Sequence, residues 1–107
     1  MSGEWLALET LTGEQFLPLL GQAFLLELPE GPQLSMLLVE SRAFGDAAPG
    51  SRRGAFALAF YCDELPRGQY LRQGTYAISH AGLGRMQLFI TPTTPDARGV
   101  RYEAIFT

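Results

Sequence analysis

GAFALAFYC, the stretch from Gly54 to Cys62, decides the fold class of this chain. Large and small side chains alternate along it, so that Phe56, Leu58 and Phe60 share one face and alanines occupy most of the other. This period of two is typical of a β-strand. Because both faces are apolar, both have to be covered in the folded protein. We expect the N-terminal helix or a second copy of the protein to cover the small-residue face.

Five further segments have the same period or are short apolar runs bounded by turn residues. They are residues 22–28, 34–42, 74–80, 85–91 and 100–106. In segments 22–28, 85–91 and 100–106, we expect the following residues to face inward: Phe24, Leu26, Leu28, Met86, Leu88, Ile90, Val100, Tyr102, Ala104 and Phe106. With the first stretch, these segments make six strands separated by turns.

One short helix is predicted before the first of these strands. Thr12 and Gln15 have the spacing of a capping box, and Gly21 is a natural C-terminal stop. The residues expected on its buried face are Phe16, Leu17, Leu19 and Leu20. The predicted fold is therefore mainly β: a six-stranded, mostly antiparallel small barrel or two-layer sandwich with one short N-terminal helix.

Length and composition agree with a single domain spanning residues 1–107. The chain has 107 residues, of which 47% are hydrophobic and 18% are charged, so it can bury one core and no second. Lys and Asn are both absent, and because their codons are A-rich, we infer a GC-rich bacterial genome. The N-terminus has no basic, apolar signal pattern, and no apolar run is long enough to span a bilayer. We therefore expect a cytoplasmic protein without a membrane partner.

The charge balance argues against nucleic acid as a partner. Eight basic residues, all Arg, and eleven acidic residues give a net charge of -3. A nucleic-acid-binding protein needs a basic surface.

Few residues could carry catalysis. Cys62 has acidic neighbours that disfavour a thiolate, so we interpret it as a buried structural thiol. His80, the one histidine, is expected to bond a turn carbonyl. The four carboxylates Glu9, Glu27, Glu40 and Glu103 lie in strand or pre-helix segments, and solvated outward positions explain each of them. We expect no enzyme activity, no cofactor and no metal site.

Two turn-rich connections are the candidate partner surface. Residues 43–53 and 92–99 are long for hairpin loops, and long loops stiffened by proline are often functional. The candidate contact residues within them are Arg52, Arg53, Pro95, Asp96 and Arg98. Trp5 is a further candidate, which we expect to pack over one end of the strand set.

Two blocks of the chain resemble a family of short bacterial proteins known only as a domain of unknown function. The first block is residues 8–28, with Pro18-Leu19 and Gly21, and the second includes Gln73-Gly74-Thr75-Tyr76, His80, Leu83-Gly84, Pro92, Asp96, Gly99 and Tyr102-Glu103-Ala104-Ile105-Phe106. The resemblance implies a stand-alone bacterial domain encoded close to phage-tail-collar-like proteins. It therefore implies a role in assembling or accompanying a tail-like fibre.

Three functions remain open from the sequence. The first is a noncatalytic interaction module for a protein partner, including a second copy of itself or a phage-tail-like protein. The second is a small-ligand-binding barrel, whose cavity would be lined by the inward aromatics Phe24, Phe56, Phe60, Tyr76 and Tyr102. The third is a hydrolase-type enzyme. With so few strands, we expect these aromatics to fill the core.

Overall fold

The computed structural model describes residues 5–44, 54–65 and 68–106. Its six strands are β1 (Ala23–Glu27), β2 (Gln33–Phe44), β3 (Ala55–Tyr61), β4 (Gly74–His80), β5 (Gly84–Pro92) and β6 (Arg101–Phe106). One α-helical turn, α1 (Gly13–Phe16), lies between 3₁₀ turns at Leu8–Thr10 and Leu17–Leu19. Within the described ranges, no helix is both long enough and apolar enough to cross a membrane.

The six strands close into one antiparallel barrel in the order β1-β2-β3-β6-β5-β4. Closure depends on β1 pairing with β4 as well as with β2, which a two-layer sandwich does not require. Large side chains from all six strands meet inside in one apolar cluster. Of the two predicted architectures, the barrel is therefore confirmed.

The interior is occupied by aromatic rings in mutual contact. Phe24 and Phe60 are edge to face with centroids 5.4 Å apart, and Phe56 stacks on Phe106 at 4.4 Å. Of the aromatics predicted to point inward, only Tyr76 is half-buried among the described residues, and it packs against the same cluster.

β3 is buried on both faces, as its sequence predicted, but its outer face is covered by its own neighbours in the sheet. Ala59 is 2% exposed and lies in register between Glu40 of β2 and Glu103 of β6. The Arg101 guanidinium bonds both carboxylates, at 3.5 Å from Glu103. The ion pairs therefore cross the small alanine side chain, and neither the N-terminal helix nor a second copy is needed there.

A β-bulge makes this outer cluster possible. The register of β2 against β3 shifts between Leu38 and Glu40. An extra residue in one strand reverses which side chains face outward beyond it. Leu38 is fully buried, whereas Glu40 and Arg42 lie on the outside, where they pair at 3.8 Å.

α1 closes one end of the barrel. The predicted capping box is present, since the Gln15 side chain accepts a hydrogen bond from the Thr12 N–H at 2.9 Å. Phe16 is fully buried and contacts three other phenylalanine rings. The expected buried face was too wide: Leu17 and Leu20 are 49% and 41% exposed, because the chain changes to a 3₁₀ turn after Phe16.

The seam between β5 and β6 is the shortest in the barrel. It has two residue pairs, Thr91 with Glu103 and Pro92 with Tyr102, whereas β4 and β5 are joined by seven residue pairs. The N-terminal segment contacts the other end of β5, where the Leu6 N–H donates to the Arg85 carbonyl at 2.8 Å. Trp5 lies flat on the Arg85 guanidinium at 4.4 Å and remains 44% exposed.

Candidate functional site

Three of the five predicted contact residues, Pro95, Asp96 and Arg98, lie in the loop between β5 and β6, which we call the 93–100 loop. This loop stands at the end of the barrel opposite α1, beside the last residue of β3, Tyr61. Arg52 and Arg53 lie outside the described residues.

Asp96 holds the 93–100 loop in one shape. One carboxylate oxygen accepts the backbone N–H groups of Arg98 at 2.9 Å and Gly99 at 3.2 Å. The other accepts the hydroxyl proton of Tyr61. At the base of the loop, the Thr93 N–H donates to the Arg101 carbonyl at 2.8 Å. The loop is therefore fixed both internally and to β3.

Arg98 makes further contacts between the 93–100 loop and the end of β3. Its guanidinium lies 4.6 Å from the centre of the Tyr61 ring and donates to Asp63 at 3.1 Å. Stacking on an aromatic ring stabilises an arginine even at an exposed site. Arg98 thus joins the 93–100 loop to the segment that follows β3.

Two adjoining pockets form a groove between the 93–100 loop and a second wall, residues 62–65 and 68–70. The larger measures about 700 Å³, and the smaller about 330 Å³. Tyr70, Pro95 and Val100 line both pockets. Tyr70 is 60% exposed, so its ring forms a ridge between the pockets and offers a large apolar surface to a partner.

The floor of the larger pocket contains two groups that sequence analysis placed in the core. Cys62 is half-buried, so the expectation of a buried thiol is only partly right. Tyr102 is 1% exposed, and its hydroxyl accepts the Leu71 N–H at 2.8 Å. Among the described residues, no acceptor receives the proton of that hydroxyl.

The pKa values around the groove follow from these contacts. The bond from Tyr61 lowers the pKa of Asp96 below its ordinary 3.8, while the same bond raises the pKa of Tyr61 above 10.0. Burial raises the pKa of the Cys62 thiol, and the carboxylates of Glu64 and Asp63 add to that effect. Burial also raises the pKa of Tyr102. At neutral pH, Cys62 is therefore a thiol and both tyrosines keep their hydroxyl protons.

The other candidate chemistry lies away from the groove. His80 bonds a turn, but through the opposite group to the one expected: its Nδ1 accepts the Gly82 N–H at 3.0 Å. Its Nε2 lies 2.6 Å from the Gln22 side-chain oxygen, so the proton belongs on Nε2. Glu27 pairs with Arg85 at 3.2 Å, on the outside of the barrel. In the described ranges, no group of three or more His, Cys, Asp or Glu side chains could hold a metal ion.

The family model described as Domain of unknown function (DUF6916) matches residues 11–106. The chain belongs to the DUF6916 family. The DUF6916 match begins at Leu11, the buried residue just before α1, and ends at the last residue of β6. The match therefore includes α1, all six strands and the groove. No curated protein and no solved structure matches the chain.

Sequence analysis found the 93–100 loop but missed the other wall of the groove. Turn residues marked the loop, whereas Tyr70 is a single aromatic residue in a connection without periodicity. Tyr102 was assigned to the inward face of its strand correctly. The hydroxyl partners of Tyr61 and Tyr102, which are Asp96 and the Leu71 N–H, come from distant parts of the sequence and left no local signal.

Proposed function

We propose that this chain is a noncatalytic interaction module that binds a protein partner in the groove between the 93–100 loop and residues 62–65 and 68–70. The observation that carries the proposal is the set of hydrogen bonds by which Asp96 ties the loop to Tyr61 and to its own backbone. A wall that is fixed before binding costs less entropy on association. An exposed tyrosine and two prolines that line the groove suit a protein surface or segment.

The contacts inside the barrel favour this function over an internal ligand site. Phe16, Phe24, Phe56 and Phe60 contact one another where a ligand cavity would lie. The chemistry at the groove also supports a noncatalytic role, since Cys62 is protonated at neutral pH and His80 is engaged elsewhere.

The resemblance described above suggests the kind of partner. A component of a phage-tail-like assembly in a bacterial cytoplasm is our first candidate, and a second copy of the chain is the alternative. Arg52 and Arg53 remain proposed as additional contacts.

Comparative affinity capture from the native host tests the proposal. Tagged wild-type protein, Tyr70→Ser and Asp96→Ala would be used as baits, with Phe89→Ser as the matched control. Phe89 is 55% exposed on β5 and does not line the groove, so its replacement removes a comparable exposed aromatic side chain elsewhere.

We expect a partner that co-purifies with the wild type and Phe89→Ser and is lost with the two groove variants. A partner retained by folded Tyr70→Ser and Asp96→Ala proteins would contradict the proposal. Adding Arg52→Ser with Arg53→Ser tests the second loop separately. Light scattering of the purified protein shows whether a second copy is the partner.

A further inference from the structure

We propose that the groove binds an extended, proline-rich segment with a basic residue, held by Tyr70 and by a hydrogen bond from the Tyr102 hydroxyl to a backbone carbonyl. This inference rests on the proposed function, and it names the chemistry of the partner.

The first argument is the unused donor on the groove floor. Tyr102 is almost fully buried, and its hydroxyl accepts from Leu71 but donates to none of the described residues. A buried donor without an acceptor is unfavourable, and a ligand acceptor that reached it would remove that cost. Because Tyr102 lines the larger pocket, an acceptor in that pocket is the group best placed to do so.

The second argument is the apolar ridge. Tyr70 stands between two pockets, and Pro95 and Val100 line both of them. A polyproline II helix has three residues per turn and no internal hydrogen bonds, so its side chains can enter successive pockets while its carbonyls stay available. Aromatic-lined grooves recognise such segments, because proline-rich chains lose little entropy on binding.

The third argument is charge. Among the residues that the structure describes, the charged side chains that line the larger pocket are the two carboxylates of Asp63 and Asp96 and the guanidinium of Arg98. Asp96 is engaged by Tyr61 and the loop backbone, whereas the Asp63 side chain is 61% exposed and bonds only the Arg98 side chain among the described residues. An arginine on the ligand could share Asp63 with Arg98. An acidic residue on the ligand at the same place would be repelled by the Asp63 carboxylate.

Titration of ¹⁵N-labelled protein with synthetic peptides tests this inference. The probe is a blocked nine-residue peptide of eight prolines and one terminal arginine. One comparison peptide has alanine in place of every proline, and another has glutamate in place of the arginine. The protein variants are Tyr70→Ala, Tyr102→Phe and the control Phe89→Ala.

We expect amide shifts confined to residues 62–72 and 93–102, and at least tenfold weaker binding of the alanine peptide. Tyr70→Ala should weaken binding about tenfold, and Tyr102→Phe about threefold to tenfold, as expected for the loss of one neutral hydrogen bond. The glutamate peptide should also bind more weakly, whereas Phe89→Ala should leave binding unchanged. Since Tyr102→Phe also removes the acceptor for Leu71, its fold is checked from its own spectrum.

Equal binding of the proline and alanine peptides would overturn the inference, as would shifts outside the groove or no shifts at millimolar peptide. Unchanged affinity in both Tyr70→Ala and Tyr102→Phe would overturn it as well. These results differ from failure of the proposed function, in which a native partner is captured independently of the groove. A groove-dependent partner with no proline-peptide binding would refute only the peptide chemistry.

Discussion

The hydroxyl of Tyr61 donates to the carboxylate of Asp96, and this bond joins the last residue of β3 to the loop between β5 and β6. The same carboxylate accepts two backbone N–H groups from its own loop. One aspartate therefore sets both the shape of the loop and its position on the barrel. Together with the Thr93–Arg101 backbone bond and the Arg98 contacts, this side chain fixes one wall of the groove.

The first prediction concerns pH. Because folding lowers the pKa of Asp96, its contribution to the free energy of unfolding is present above pH 3.8. This contribution is lost as the pH falls through the lowered pKa. Because folding raises the pKa of Tyr61, its contribution to the free energy of unfolding is present below pH 10.0. This contribution is lost as the pH rises through the raised pKa. The amide shifts of Arg98 and Gly99 should thus be constant between these limits. In Tyr61→Phe, the Asp96 titration should move up toward 3.8, and an unchanged titration would show that the bond is absent.

The second prediction concerns the core. Phe60 is fully buried against Phe24, so Phe60→Ala should lower the free energy of unfolding by about 3 to 5 kcal/mol. Urea denaturation measures this. The control Phe89→Ala should change the free energy of unfolding by about 0.5 kcal/mol or less, because Phe89 is exposed. A small effect of Phe60→Ala would mean that the inward face of β3 is assigned wrongly.

The third prediction concerns the outer face of β3. Ala59→Leu should destabilise the protein by about 1 to 3 kcal/mol, because a larger side chain occupies the space in which Arg101 reaches Glu40. Thr75→Leu, at an exposed position of β4, is the matched control for strand propensity and size. Equal melting temperatures for the two variants would contradict the crossing of ion pairs over Ala59.

The fourth prediction concerns Cys62. The half-buried thiol with a raised pKa should react slowly with iodoacetamide in the native protein and quickly in denaturant. Mass spectrometry at timed intervals gives both rates. Rapid labelling of the native protein at neutral pH would reopen the possibility of a catalytic thiol.

The strands could be predicted from the sequence because their signal is local. The predicted range 74–80 coincides with β4, and the alternation in β3 placed Phe56, Leu58 and Phe60 inward correctly. The buried face of the N-terminal helix was overestimated. Pro18 is compatible with a 3₁₀ turn after Phe16, but it does not indicate how few residues of that turn would be buried.

Strand order and the outer ion pairs could not be predicted in this way. Both depend on pairing between segments that are distant in the sequence. In addition, the bulge between Leu38 and Glu40 shifts the register of β2, whereas an alternating pattern predicts an unbroken register. The bond between Asp96 and Tyr61 likewise joins residues 35 positions apart in the sequence. The groove was half predicted, because one of its walls is a turn-rich loop and the other is a connection without a pattern.

The strand order has a consequence for how the molecule holds together. β1-β2-β3 and β4-β5-β6 are two three-stranded meanders, each made from hairpins between consecutive strands. They meet along β3 with β6 and β1 with β4, and one covalent crossover, residues 62–73, joins them. The groove lies on that crossover, with its far wall in the second meander. A bound segment would therefore hold the crossover against the second meander, so that each gain in affinity would also raise the melting temperature.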